Sequence, residues 1–284
     1  MKREDVMYRM HDKRDVPQRR GLRRFAPGGA ADLHCHCLPG VDDGPATMHD
    51  ALQLCRALVS EGISTVVATP HQLGRYDGRN SGRQVRDAVD ALAATLAEQS
   101  IPLEVLPGGE VRIDERVPAM VRSGDVLTLA GRVYLLLELP EAGYLDPLPL
   151  IRFLTREGIT VVVAHVERYR EVQRRHEIVA AWIEAGAALQ INAGSLSGSF
   201  GREAERTAWR LIDQEFRLLV ATDAHDSRSR PPLLSRAAEL IEARYDFQTA
   251  FRACIENPWQ ILGRPVSPVM SREEIEAGSV GPHP

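Results

Sequence analysis

The chain lacks the residues that several common chemistries require. Only four of its 284 residues are cysteine, at Cys35, Cys37, Cys55 and Cys254, too few for the disulfide framework of a small secreted domain. None of the four is followed by arginine six positions later, so the Cys-x5-Arg loop that cysteine nucleophiles need for phosphate esters is missing. No run approaches the ~20 apolar residues that span a bilayer. The charged N-terminus carries no apolar stretch of the kind that marks a secretory signal. These absences point to the cytoplasm and away from membrane insertion. Lysine is nearly missing too, at Lys2 and Lys13 only.

The body of the chain also lacks net positive charge. Residues 1–30 hold nine Lys/Arg and four Asp/Glu, whereas residues 31–284 hold 26 basic against 35 acidic residues, a balance of −9. A groove for nucleic-acid backbone needs a basic footprint, so nucleic acid is not an expected partner. The chain does have the apolar content of an ordinary soluble protein, 44% hydrophobic with 26% charged. Its length suits one large α/β domain. Residues 1–30, polar, Arg-rich and closing in Pro27-Gly28-Gly29, read as a flexible basic extension. Residues 267–284 read as a loosely ordered tail, leaving 31–266 as the folded domain.

Within that domain, short β-branched runs alternate with amphipathic helical stretches. The expected strands are Ala31–His36, Ile63–Thr69, Leu103–Val111, Val133–Leu139, Ile159–Ala164, Ala187–Asn192 and Leu218–Thr222. Expected helices are Met48–Glu61, Arg83–Gln99, a short one near Pro118–Val121, Leu148–Glu157, Glu171–Ala185, Arg202–Glu215 and Leu233–Arg244. Gly62, Gly158 and Gly186 each sit where a helix gives way to a strand, as C-terminal helix glycines do. Seven βα units in one chain predict a parallel (β/α)7 barrel rather than an open sheet.

Placed on this map, the unusual polar residues fall at one end. His34 and His36 end the first strand, His71 follows the second, Glu110 ends the third and His165 the fifth, and Asp223 and His225 follow the seventh. These are C-terminal strand ends, where parallel barrels carry their active sites. Alternation along a strand turns His34 and His36 to one side and Cys35 and Cys37 to the other, which favours a histidine ligand pair over a mixed His/Cys knuckle. Asp223 and His225 repeat the spacing. Imidazole and carboxylate without thiolate suit manganese, iron or zinc, and Glu110 has two oxygens with which to bridge metals.

A plainer reading exists for each residue singly. A lone histidine at a strand end is more often structural, and a lone Asp near a turn is turn chemistry; five histidines and two acids at matching ends make that reading improbable for the set. Asp42 and Asp43 precede Gly44-Pro45 and suit a turn, with Asp43 also placed to ligate. Arg168, three residues past His165, and Arg230, ahead of Pro231-Pro232, could each grip phosphate oxygens in a fork or be solvated. Glu138, at the fourth strand's end, faces the same mouth as ligand or as partner to a histidine. His49 and His176 fall on expected helices as surface residues, and Trp182, Trp209 and Trp259 read as packing.

The ordered series DLHCHCLPGVDDGPAT, ATPH, GGEVRI, VVAHVERY, INAGSLSG and ATDAHD followed by RPP resembles the polymerase-and-histidinol-phosphatase (PHP) superfamily. More narrowly, over roughly residues 31–262, it resembles the CpsB/YwqE-type bacterial tyrosine phosphatases. The resemblance implies a distorted TIM-like barrel holding about three divalent metals, commonly manganese. His34, His36, Asp43, His71, Glu110, His165, Asp223 and His225 match its ligand positions, and Arg168 and Arg230 its phosphate-binding arginines. It further implies a phosphotyrosine protein as partner, namely an autophosphorylating tyrosine kinase that controls capsule or exopolysaccharide export. The basic extension is not part of that family's core, and the loop Gln72–Tyr76 is less basic than in some members. Rival readings are a histidinol-phosphate type of small-molecule phosphatase, a nuclease, which the acidic body disfavours, and a metal-binding scaffold without activity.

Overall fold

A computed structural model of the protein describes residues 22, 26, 28–140, 143–214 and 218–264. Most of the expected extension and all of the expected tail lie outside those residues. Leu22, inside the stretch expected as extension, is fully buried in the apolar core.

Seven βα units follow one another. β1 (Ala30–Cys35) leads to α1 (Met48–Glu61). β2 (Ile63–Ala68) resumes after Thr69-Pro70 as β3 (His71–Gln72) and is followed by α2 (Gly82–Glu98). β4 (Glu104–Pro107) and β5 (Glu110–Arg112) flank Gly108-Gly109 and precede α3 (Val117–Ser123). Next come β6 (Tyr134–Glu138) with α4 (Leu148–Arg156), and β7 (Thr160–Val163) with α5 (Arg170–Arg174) and α6 (Ile178–Glu184). β8 (Ala188–Asn192) with α7 (Arg202–Asp213) and β9 (Leu218–Ala221) with α8 (Leu234–Arg244) complete the series. Beyond it lie α9 (Phe247–Phe251), a π-helical turn and α10 (Asn257–Ile261).

Every strand pair is parallel, in the orders β1-β2-β4 and β3-β5-β6-β7-β8-β9. β2 with β3, and β4 with β5, are halves of two interrupted strands, so the two sheets make one seven-strand wall. Pro70 lacks the N–H that a ladder needs, which accounts for the first break. The wall's ends meet at the rim, where Asp223 N–H donates to His34 O (2.8 Å), His36 N–H donates to Ala224 O (2.9 Å), and Cys35 bridges Ala224. This is the distorted parallel barrel that the seven units predict. The expected strand Leu103–Val111 is thus two strands.

Two apolar clusters hold the wall. The inner one includes Ala31, Leu33, Val67, Leu136, Val162, Leu219 and Ala221; the outer one, against the helices, includes Cys35, Cys37, Cys55, Leu54 and Leu58. Ala31 and Leu33 share parity with Cys35 yet lie on opposite sides of the wall. The register explains this: Asp32 pairs with Val66 but Cys35 with Ala68, so two residues of β1 oppose one of β2. That β-bulge reverses the alternation. It lets Leu33 fill the barrel floor while His34 and His36 both face the mouth.

α10 covers the opposite, N-terminal end. Ile261 and Leu262 join the inner cluster, Asn257 Nδ2 donates to Leu218 O (2.6 Å), and Trp259 Nε1 donates to Gly29 O (3.3 Å). Gly62, Gly158 and Gly186 have φ of 96°, 81° and 101°, the left-handed conformation that ends helices. The expected helix Glu171–Ala185 is instead α5 and α6, broken at Arg175, whose φ and ψ are −137° and 69°. His176 therefore lies in the turn, half-buried beside Arg210 (3.3 Å), and not on a helix. His49 is exposed on α1, and Trp182, Trp209 and Trp259 pack against the core.

Candidate metal centre

β1 delivers His34 and His36 to the mouth, β3 His71, β5 Glu110, the turn after β7 His165, and the turn after β9 Asp223 and His225. The loop before α1 brings Asp43. All eight residues converge. Glu110 stands at the middle: its Oε2 lies 3.0 Å from His71 Nδ1, 3.3 Å from His36 Nε2 and 3.4 Å from His34 Nε2, and its Oε1 accepts from His165 Nε2 at 2.7 Å. Asp223 Oδ1 lies 3.4 Å from His34 Nε2 and 3.5 Å from His36 Nε2. Asp43 Oδ1 lies 3.4 Å from both His71 Nε2 and His225 Nε2.

These separations suit cations. Metal–ligand bonds of ~2.0–2.2 Å put neighbouring donors ~3.0–3.5 Å apart. Three overlapping groups qualify, His36/Asp43/His71/His225, His34/His36/Asp223 and His71/Glu110/Glu138, each with donor atoms within 4.8 Å of one another. His165 Nδ1, Asp223 Oδ1 and His225 Nε2 are buried without any hydrogen-bond partner, a state costing ~1–3 kcal/mol per group. His34 Nε2 and His36 Nε2 face each other at 3.3 Å. Unpartnered donors and facing ring nitrogens of this kind are what cations would satisfy, and the nitrogen and oxygen donors fit manganese, iron or zinc.

A surrounding layer fixes the rings. His34 Nδ1 donates to Gln190 Oε1 (3.0 Å), His36 Nδ1 to Asp42 Oδ2 (2.7 Å) and His225 Nδ1 to Asp223 O (3.0 Å). Each bond leaves Nε2 to the centre, the usual way a ligand tautomer is set. Asp42 also accepts from His71 N (3.1 Å) and Gly44 N (3.0 Å), so both of its oxygens are engaged. Gly44 is required for closeness: a Cβ there would come 2.3 Å from His36 O. His165 (φ 30°) and Asp223 (φ 51°) hold left-handed backbone, strain of ~1–3 kcal/mol that clusters at working sites. His71 stacks on Tyr76 at 5.3 Å.

Burial of so much charge makes each carboxylate and imidazole depend on the others. Burial opposes ionisation of Glu110, yet His34 and His165 hold its carboxyl well below the usual range. Burial also opposes protonation of His36, but Asp42 and Glu110 push it up to about 10. For His71, Asp43 and Glu110 overcome burial and push it up to about 11. In the metal-free chain, protons on these rings supply the positive charge that the carboxylates demand.

The two arginines reach the same cluster from its outer side. Arg230 Nη2 donates to Asp223 Oδ2 at 2.7 Å and Arg168 Nη1 at 3.3 Å, and Asn192 Nδ2 donates to the same oxygen at 2.6 Å. A cavity of about 260 Å3 opens beside the cluster, lined by Asp43, His71, Arg75, Tyr76, Arg112 and Glu138. Glu138 is held by Arg112 (2.9 Å) and lies 3.8 Å from His71. Another cavity, about 300 Å3 between Leu139, Tyr144 and Trp182, contains none of the cluster's donors.

Sequence reasoning gave no role to Gln190, Asn192, Glu167 or Asp32, all fully buried. Gln190 and Asn192 repeat the alternate-residue spacing of the histidine pair on a buried strand, and that was the available signal. Glu167 Oε1 accepts from Ser195 Oγ (2.5 Å) and Asn192 N (3.1 Å). Asp32 accepts from Thr222 Oγ1 (2.5 Å), tying β1 to the turn after β9, and burial pushes its pKa up to about 6.

Fold and site together define a class: parallel α/β barrels with a cluster of potential metal ligands at the C-terminal rim. The fold alone is shared with a β-aspartyl dipeptidase of Fervidobacterium islandicum AW-1 (TM-score 0.52, 16% identity, 82% of this chain and 72% of that one). More narrowly, residues 30–263 match the model for "Capsular polysaccharide synthesis, CpsB/CapC", and the chain belongs to the CpsB/CapC family. It is 36% identical to the tyrosine-protein phosphatase YwqE of Bacillus subtilis over 220 residues, 75% of this chain and 84% of that protein. It is 26% identical to the tyrosine-protein phosphatase CpsB of Streptococcus agalactiae over 238 residues, 81% and 97% of the two. Among solved structures, work describing B. subtilis YwqE and Streptococcus pneumoniae CpsB as unique metal-dependent tyrosine phosphatases includes a chain that superposes with TM-score 0.79. That chain is 32% identical, and the match covers 84% of this chain and 96% of that one.

Proposed function

We propose that this chain is a metal-dependent protein-tyrosine phosphatase that uses no cysteine nucleophile. Its substrate would be a phosphotyrosine protein, an autophosphorylating bacterial tyrosine kinase that regulates capsule or exopolysaccharide production. The observation that carries the reading is Asp223. One of its oxygens faces His34 and His36, and the other receives Arg168 and Arg230, so ligand cluster and anion-binding groups meet at a single carboxylate. The names of the relatives support phosphotyrosine, and the family's name supports the capsule. A cytoplasmic setting belongs to the same reading; among the described residues no helix is long and apolar enough to cross a membrane.

His34, His36, Asp43, His71, Glu110, His165, Asp223 and His225 would hold the divalent cations, about three by the resemblance, with manganese first and iron or zinc as alternatives. Bound there, such cations supply charge to a phosphoryl group and make water acidic enough to serve as nucleophile near neutral pH. The chain's own residues do the rest. Arg168 and Arg230 exchange part of their hold on Asp223 for phosphoryl oxygens and steady the charge that spreads over them in transfer. Asn192 keeps Asp223 in place during that exchange. The leaving phenolate, whose conjugate acid has a pKa near ~10, departs with less protonation than an alkoxide needs, which favours aryl phosphates.

A substrate panel with Mn2+ tests this: phosphotyrosine peptide, phosphoserine peptide, histidinol phosphate and single-stranded DNA. The phosphotyrosine peptide should be turned over fastest. Faster hydrolysis of histidinol phosphate or of DNA would overturn the reading.

A further inference from the structure

We propose that Phe200 is a positioning residue that aligns Arg168 and Arg230 for phosphate, an inference that rests on reading those arginines as the phosphate ligands. The guanidinium carbon of Arg168 lies 4.6 Å from the Phe200 ring centroid and that of Arg230 5.8 Å from it. Two guanidiniums aimed at one carboxylate oxygen repel each other, and each terminates a long side chain with many rotamers. The negative face of an aromatic ring attracts both cations and restricts where they go, so less ordering remains to be done when phosphate arrives.

The segment that presents Phe200 is built for placement. β8 ends at Asn192, whose side chain holds Asp223 and whose N–H is held by the buried Glu167. Glu167 also takes the Ser195 hydroxyl and is the residue next to Arg168, so one carboxylate ties the Phe200 loop to the arginine it contacts. Gly194 backs the ring so closely that a Cβ there would come 3.1 Å from it. Phe200 is half-buried and belongs to neither apolar cluster of the described residues. Core packing therefore does not explain an aromatic side chain at this position.

The test compares Phe200→Leu, which keeps bulk but loses the ring face, with Phe200→Tyr, which keeps the ring. Steady-state hydrolysis of p-nitrophenyl phosphate with Mn2+, inhibition by inorganic phosphate, bound manganese and thermal melting are measured on each. For Phe200→Leu, KM and the phosphate inhibition constant should rise about tenfold, as loss of two cation–π contacts implies. Its kcat should fall as well, because the same arginines steady the charge of transfer, and bound manganese should be little changed. Phe200→Tyr should match wild type. In an Arg168→Ala background, Phe200→Leu should cost much less than it does alone, because coupled residues are non-additive. Unchanged KM and phosphate inhibition in Phe200→Leu, or full additivity with Arg168→Ala, overturns the inference while active wild type leaves the phosphatase reading standing. A wild-type protein inert toward the aryl phosphate overturns both.

Discussion

A histidine that ligates a metal usually donates its other ring N–H to a neighbour, and three of the five rings here have that neighbour. Gln190, Asp42 and the carbonyl of Asp223 take the Nδ1 protons of His34, His36 and His225. The cysteines between and beside those histidines serve the opposite side of the wall. All four are fully buried; burial pushes Cys254 up to about 12 and raises Cys35 and Cys55 above the ordinary thiol value. A buried neutral thiol is a poor nucleophile. The native protein should therefore resist a thiol reagent such as DTNB at pH 8 and expose four thiols only when denatured. Cys35→Ala/Cys37→Ala should keep its manganese-dependent activity. Rapid labelling of native protein with parallel loss of turnover would contradict that placement. His34, His36, His71, Glu110, His165, Asp223 and His225 were legible in the sequence because strand ends are short-range information. Asp42's hold on His36 was not, because Asp42-Asp43 before Gly44-Pro45 reads equally well as an ordinary turn, and only the folded loop separates the ring-orienting acid from the ligand-facing one.

Among the elements, β1 shows how a local irregularity serves the site. Strict alternation would have sent Leu33 out with Cys35; the bulge between Asp32 and Cys35 keeps Leu33 in the floor. No residue type there signals a bulge, so the sequence pattern gives the right faces for residues 34–37 and the wrong one for 33. Pro70 and Gly108-Gly109, by contrast, were visible reasons to break the second and third strands. The split of α5 from α6 had no such mark, since amphipathic spacing runs through Arg175 and tertiary packing overrides it. α9 opens on Asp246, whose side chain accepts from Thr249 N (2.7 Å), a cap readable in retrospect. The floor under the site is apolar and tightly filled, so Leu136→Ala, at a fully buried position on β6, should cost ~2–5 kcal/mol of stability. Chemical denaturation of the manganese-loaded protein checks this, and a loss under ~1 kcal/mol would mean the barrel interior is not packed as described.

At the scale of the whole molecule, the seven-strand wall and its loops bring eight ionisable side chains into one cluster that no single element could assemble, six of them buried, His71 half-buried and Asp43 exposed. Without cations His36 and His71 keep their protons at neutral pH. His36 and His71 have folded pKa values near 10 and 11, above the unfolded value of ~6.5. Their contribution to metal-free stability is thus complete below about 6.5 and lost as pH rises through those folded values. Cations must displace those protons, which makes metal uptake pH-dependent and proton-releasing. The most direct measurement strips the protein with EDTA, returns Mn2+ stepwise, and follows bound metal and phosphotyrosine-peptide turnover together in wild type and in His34→Ala/His36→Ala. Turnover should vanish on stripping, return as the ions rebind, and be absent along with the metal in the double variant. Undiminished turnover after complete stripping, or a double variant with wild-type metal content and rate, would contradict the account.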